Sequence, residues 1–194
     1  PATAPDPSTP EGRRIAELAA YYQAASHPAD RASLATELAS VNSPDAVRQL
    51  LSLFAAEKDP LSRRDLLSAL ATAEARHAAG ADLARALQAF YAQSGDPQER
   101  QLMLDVLSEA PTPDAVAFLR TQATREEIDP LERRSACKSL IRVGSIAPEL
   151  LGEDEVPILQ ERLQADAQAA EALRSADVSV LETGTSPLLT WLGP

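Results

Sequence analysis

Arginine recurs at one position in four predicted helices. A proline opens each helix, and the arginine follows three residues later. The four arginines are Arg31, Arg63, Arg100 and Arg133. A guanidinium binds carboxylates and carbonyl oxygens through a planar fork of donors. One interpretation is structural: each arginine bonds turn carbonyls or an aspartate of its own or the adjacent unit. Three aspartates stand four residues before an arginine: Asp59, Asp96 and Asp129.

These four recurring arginines, named here the arginine column, also suggest a binding surface. The pairs Arg63-Arg64 and Arg133-Arg134 would form a positive strip on an otherwise acidic protein. Such a strip could hold an acidic or phosphorylated peptide. Asp65 and Glu132 reduce its positive charge.

Other residues that could do chemistry are few. Cys137 falls on an apolar helical stripe, which predicts a buried, unreactive thiol. His27 and His77 have no cysteine near them in sequence, so their spacing does not predict a metal site. The acidic runs at 126–127 and 153–155 lack the alternating oxygen ligands and the glycine of a calcium loop. Since the sequence also lacks a phosphate loop and hydrolase signatures, we predict no catalytic, cofactor-binding or metal residue.

Composition narrows the class of protein. The chain has 194 residues and a formal net charge of -11, which disfavours binding to nucleic acid or to anionic membranes. No apolar run approaches the roughly 18 residues of a membrane span. Aromatic residues make up only 4% of the chain, which favours helices over strands. The excess of arginine over lysine suggests a bacterial source, while extracytoplasmic and cytoplasmic locations both stay open.

Capping residues followed by proline predict where helices begin. A side chain that accepts from the first turn suits the position before the helix, and proline suits the first helical position. The predicted starts are Thr9-Pro10, His27-Pro28, Ser43-Pro44, Asp59-Pro60, Asp96-Pro97, Thr112-Pro113 and Asp129-Pro130. Gly80 is predicted to close a connection before another helix, and Gly144 to end the helix that begins at Pro130.

Four of these helices share their apolar positions. Their prolines, Pro28, Pro60, Pro97 and Pro130, are 32, 37 and 33 residues apart. Ten residues after each proline stands a leucine, and six residues after it an apolar residue, so both positions lie on one helical stripe. The leucines are Leu38, Leu70, Leu107 and Leu140. We expect this stripe to be buried in every unit.

These features resemble HEAT-type repeats across residues 12–144. The resemblance rests on the Asp-Pro turn, the arginine one turn into the second helix and the apolar spacing. The usual valine before the arginine is missing; its place is taken by Asp30, Ser62, Glu99 and Glu132. A tetratricopeptide repeat is a weaker interpretation, because no Trp or Tyr recurs at a fixed position. The resemblance implies an all-α, right-handed α-solenoid of about four to five helical hairpins with a degenerate C-terminal cap.

The ends of the chain differ from the repeats. Residues 1–10 form a Pro-rich linker, residues 11–182 the solenoid, and residues 183–194 a tail or cap that includes Trp191. One further helix is expected from Val156 to Leu163, with an Ala-rich continuation from Ala165 to Ala176.

The resemblance implies a monomeric, non-enzymatic scaffold that binds a protein or an acidic peptide on the curved face of the array. The second helices of HEAT-like pairs commonly line that face. The candidate partner-binding residues are Arg31, Arg64, Arg100, Gln101, Arg134 and Lys138. Two alternatives remain. One is an enzyme or cofactor-handling protein of lyase type built on the same repeats, which needs a pocket with a carboxylate and an aromatic pair. The other is a structural spacer in a larger extracytoplasmic protein.

Overall fold

The chain folds into helices joined by short connections. The computed structural model describes residues 6–125 and 127–182, with side chains described as far as residue 168. Within these residues lie nine α-helices, one 3-10 turn at Pro148–Leu150 and no strand. The helices are α1 Pro10–Ala24, α2 Pro28–Ala39, α3 Pro44–Ala56, α4 Pro60–Thr72, α5 Gly80–Gln93, α6 Pro97–Glu109, α7 Pro113–Thr124, α8 Pro130–Ile146 and α9 Glu155–Glu182.

The predicted helix starts are confirmed. Proline occupies the first helical position of every helix from α1 to α8 except α5. At that position a residue needs no N–H, and the φ of proline already suits the helix. In six of these starts a side-chain oxygen of the preceding residue accepts from a first-turn N–H. The six capping residues are Thr9, Ser43, Asp59, Asp96, Thr112 and Asp129. His27 precedes α2 without a side-chain hydrogen bond.

Helices two apart in sequence pack against each other. Among the even-numbered helices, α2 contacts α4, α4 contacts α6 and α6 contacts α8. The odd-numbered helices from α1 to α7 make the same succession of contacts. Consecutive helices also pack in pairs, such as α3 with α4 and α7 with α8. Each helix α2, α4, α6 and α8 therefore contacts at least one even-numbered neighbour and its own odd-numbered partner.

The recurrent leucine stripe forms the centre of the core, as the spacing predicts. Leu38, Leu70, Leu107 and Leu140 are each at most 1% exposed. Burying a leucine side chain contributes about 1.5–3 kcal/mol. At the position six after each proline, Leu66, Met103 and Ala136 are buried as well, while Leu34 is only partly buried.

The C-terminal part departs from the predicted boundaries. Gly144 does not end α8, which continues to Ile146. A Cβ at Gly144 would lie 2.6 Å from Val156 Cγ2. The glycine therefore permits close approach of α8 to the first turn of α9. Helix α9 runs through both the predicted helix and its Ala-rich continuation, and the predicted cap at residues 183–194 lies outside the described residues.

Candidate functional site

Arg63 is the best-connected member of the arginine column. It starts in the first turn of α4 and reaches α6, where its Nε and Nη2 donate to the two carboxylate oxygens of Glu99 at 2.8 and 2.7 Å. Its Nη1 donates to the carbonyl oxygens of Phe54 and Glu57. The guanidinium carbon lies 4.0 Å from the centre of the Phe54 ring. The hydrogen bonds to Glu99 raise the pKa of Arg63 above its ordinary value.

Arg31 repeats this environment near the N-terminus. Its Nε donates to Ala25 O at 2.9 Å, and its Nη1 donates to Glu57 at 3.2 Å. Tyr22, whose ring centre is 5.9 Å from the guanidinium, donates its hydroxyl to the same carboxylate. Burial and this hydrogen bond raise the pKa of Tyr22. Burial also raises the pKa of Glu57, but hydrogen bonds from backbone N–H groups outweigh it and leave that pKa below the ordinary value.

Arg100 has the same arrangement at the next interface. Its Nη1 lies 3.7 Å from a carboxylate oxygen of Glu132 in α8. Tyr91 donates its hydroxyl to Glu132, and its ring centre is 5.8 Å from the Arg100 guanidinium carbon. Glu132 is 1% exposed. Three successive units thus combine an aromatic ring, an arginine and a partly or fully buried glutamate.

The aromatic column is a signal that sequence reasoning missed. Tyr22, Phe54 and Tyr91 each stand six residues before a helix-opening proline. The fourth equivalent is Thr124, and Arg133 forms no ion pair with a described residue. The alignment on the prolines reveals this recurrence when it is extended to the residues before each proline. The expectation that no Trp or Tyr recurs at a fixed position is therefore wrong.

Arg31 and Arg63 bond backbone carbonyls near the preceding turn, as the structural interpretation expects. The carboxylate partners, however, are not the aspartates four residues before the arginines. Glu99 and Glu132 occupy the position two residues after the proline, where the HEAT-like pattern has valine. The aspartates before the prolines cap their own helices, and an N–H donor in the first turn satisfies each of them. Arg63 and Arg100 therefore pair with the following unit, 36 and 32 residues along the chain.

Three of the six candidate partner-binding residues are held in ion pairs. Arg31 and Arg100 belong to the column just described, and their side chains are 27% and 30% exposed. Arg64 donates to Asp96 at 3.0 Å, and this bond lowers the pKa of Asp96. We expected all six to be exposed residues of the second helices, but only Lys138 is exposed and the other five are partly buried. Their role in partner binding stays a prediction.

The other three candidates belong to α6 and α8. Gln101 is partly buried on α6. On α8, Arg134 is partly buried and Lys138 is exposed. Neither of these two cations forms an ion pair with a side chain described up to residue 168.

Exposed leucines mark α4 and α8. Leu61 and Leu131 follow the opening prolines of these helices and are 61% and 60% exposed. Each precedes a candidate arginine, Arg64 or Arg134, by three residues. The identical Asp-Pro-Leu sequences at 59–61 and 129–131 could have marked these two sites in the sequence. The position of a leucine within its helix did not, by itself, show that the leucine is exposed.

A shallow depression lies between α5 and α7. Its volume is about 370 Å³, and it is lined by Arg85, Gln88, Asp114, Ala117, Phe118 and Thr121. Phe118 packs edge-on against Tyr91 at 5.1 Å between ring centres. Tyr91 is only 6% exposed. The depression thus presents a carboxylate and one aromatic ring instead of the aromatic pair that the enzyme alternative requires.

The remaining reactive groups have ordinary surroundings. Cys137 is 1% exposed, as its place on the apolar stripe predicts, and burial raises the pKa of its thiol. His27 and His77 are both exposed. In the portion that the structure describes, no cluster of three or more potential metal ligands occurs. No helix there combines the length and apolarity that crossing a bilayer requires.

Comparison of the chain with protein-family models, with curated proteins and with solved structures gives no match.

Proposed function

We propose that this chain is a non-enzymatic scaffold, built as a HEAT-like α-solenoid, that binds a protein or acidic peptide on the curved face lined by its even-numbered helices. The order of helix contacts supports the solenoid: each helix from α1 to α8 contacts a helix two positions away and its own hairpin partner. Such a succession extends a surface unit by unit.

The arginine column supports a rigid surface. At the joint between α4 and α6, Arg63 and Glu99 form a two-pronged ion pair whose carboxylate is 7% exposed. At the joint between α6 and α8, Arg100 and Tyr91 converge on Glu132. These contacts bridge α4 to α6 and α6 to α8, and we expect them to fix the spacing of those helices. A surface that is held in one arrangement loses less conformational entropy when a partner binds.

The observation that carries the proposal is the pair of equivalent Leu–Arg sites on α4 and α8. Leu61 with Arg64, and Leu131 with Arg134, place an exposed apolar side chain one turn from a cation. An apolar contact with a neighbouring charge suits an acidic, partly apolar partner. The two sites are separated by α6, so a partner could span both.

Charge reversal tests this proposal. We expect Arg64→Glu with Arg134→Glu to abolish capture of partner proteins from a lysate of the source organism. The matched control is Arg13→Glu with Arg85→Glu, which makes the same change in net charge on α1 and α5. Thermal melting of each variant checks that the fold is retained. Capture that survives in the first variant, or is lost equally in the control, would refute a partner site on the even-numbered helices.

A further inference from the structure

Helix α8 exposes a face of unusual composition. Its members are Leu131, Arg134, Lys138, Arg142 and Ile146, named here the α8 outer face. Successive residues of a helix are about 100° apart, so these five positions lie within about 120° of one another. The face extends over about 22 Å at 1.5 Å per residue. It therefore presents three cations in a row between two aliphatic residues.

The aliphatic ends are accessible to a partner. Leu131 is 60% exposed and Ile146 is 43% exposed. Only five large apolar side chains in the described residues are comparably exposed, and two of them bracket this face. Removing an exposed leucine or isoleucine side chain from water lowers the free energy. Both ends of the face therefore favour contact with apolar side chains.

The cations between them are incompletely neutralised. Arg142 pairs with Glu109 of α6, and its own side chain remains 58% exposed. Asp105 of α6 lies on the same flank: burial raises the pKa of its carboxyl group, and the charges of Arg142 and Lys138 oppose that rise. Among the side chains that the structure describes, which end at residue 168, none forms an ion pair with Arg134 or Lys138. The face is thus a local positive region on a chain whose net charge is -11.

The other even-numbered helices do not share this composition. The positions equivalent to the three cations are Arg64, Ser68 and Thr72 in α4, and Gln101, Asp105 and Glu109 in α6. In α4 the single cation is bound to Asp96. The combination of two aliphatic ends and three intervening cations is therefore particular to α8, and it does not follow from the repeat itself.

We infer that the α8 outer face binds an acidic amphipathic helix of a partner protein. Antiparallel packing would match an apolar residue at each end and a carboxylate at three successive turns between them. Helices recognise helices through such i, i+3 and i+4 anchors, and the order of charges sets the register and direction of docking. This inference rests on the proposed scaffold function and names the partner chemistry for one of its two sites.

A synthetic helical peptide of roughly 18 residues provides the probe. It carries Leu at its second and seventeenth positions and Glu at its sixth, tenth and fourteenth, in an Ala/Gln background, so that its spacing mirrors the α8 outer face. Two control peptides replace the three Glu by Lys, or the two Leu by Ala. Binding to the full chain is measured by fluorescence anisotropy at low and high salt.

The substitutions Lys138→Ser and Leu131→Ser should each weaken binding of the acidic peptide by about tenfold or more. Each has a matched control: Lys58→Ser removes the other lysine of the chain, and Leu61→Ser removes the equivalent leucine of α4. Both controls should leave the affinity within about twofold. High salt should weaken the acidic peptide, because the exposed charges are then screened.

Several outcomes would overturn the inference. They are a Kd weaker than about 1 mM for the acidic peptide, equal binding of the Lys peptide, or equal losses in the two control variants. Binding that depends on Leu61 and not on Leu131 would move the site to α4, which contradicts the α8 assignment and leaves the scaffold proposal standing. The scaffold proposal itself falls if capture survives the double charge reversal of Arg64 and Arg134, or if the control reversal of Arg13 and Arg85 removes it equally.

Discussion

The ion pair between Arg63 and Glu99 should stabilise the joint between α4 and α6 far more than a surface pair would. Its side chains are 22% and 7% exposed, and both guanidinium–carboxylate contacts are below 3 Å. Arg63→Met removes the charge and keeps an aliphatic chain over Phe54. Glu99 then lies nearly buried without its cation. Breaking a buried pair in this way costs about 3–5 kcal/mol, and the partial exposure of Arg63 places the cost near 3 kcal/mol.

The reciprocal change is expected to be milder. Glu99→Gln should cost about 2 kcal/mol, because Arg63 keeps two carbonyl acceptors and the Phe54 ring. The double variant leaves no buried charge without its partner, so its cost should also be about 3 kcal/mol instead of the 5 kcal/mol that additivity gives. The expected coupling energy is therefore about 2 kcal/mol, within the range for hydrogen bonds to charged groups.

Urea unfolding followed by circular dichroism measures this cycle. The control cycle uses Arg14→Met and Glu37→Gln, because that pair is 58% and 50% exposed at a contact distance of 3.2 Å. Exposed pairs couple by less than about 1 kcal/mol. If the Arg63–Glu99 coupling is as small as that of the control pair, the inference that the column fixes the spacing of the even-numbered helices is refuted.

Three further predictions concern the core, the tyrosine hydroxyls and pH. Leu107→Ala should lower the free energy of unfolding by about 2–5 kcal/mol, while Leu61→Ala at an exposed site should change it by less than about 0.5 kcal/mol in the same urea titration. Tyr91→Phe should cost about 1–3 kcal/mol, because buried Glu132 loses a donor; a cost near zero by thermal melting would contradict the assigned hydrogen bond. The hydrogen bonds from Arg120 lower the pKa of Glu155, so this contact stabilises the fold above about pH 4.3 and is lost as the pH falls through the lowered pKa. Parent and Glu155→Gln stabilities should therefore differ near pH 7 and converge toward about pH 3, whereas a constant difference would contradict the linkage.

Local sequence determined where the helices begin. Thr9, Ser43, Asp59 and the other capping residues act on N–H groups two or three residues away, and proline acts on its own φ. Both effects operate over a few residues and need no knowledge of the fold. The leucine stripe is equally local, because the helical period alone decides which side chains share a face.

The partners of the arginines could not be read in the same way. Asp59 is four residues from Arg63 and is the obvious sequence neighbour, yet its carboxylate is already used as a helix cap. Glu99 is 36 residues away and meets Arg63 only because α4 and α6 pack side by side. In the unit before, the position equivalent to Glu99 is Ser62, which has no carboxylate, and Arg31 pairs with Glu57 instead. No fixed spacing along the sequence predicts that partner.

Gly144 shows the same division. A glycine after an apolar helix is commonly a stop signal, and sequence gives no reason to prefer another role. In the folded chain it lies under Val156, so the absence of a side chain serves packing and α8 continues for two more residues. That extension carries Ile146 into line with Lys138 and Arg142.

By itself, the sequence determined an all-helical chain, the helix starts and the buried leucine stripe, because those depend on contacts within one or two turns. Only the tertiary structure decided which carboxylate each arginine binds, which leucines face solvent, and how the α8 outer face is composed. Those properties depend on which helices lie side by side, and distances between helices are set by packing across 30 or more residues of chain.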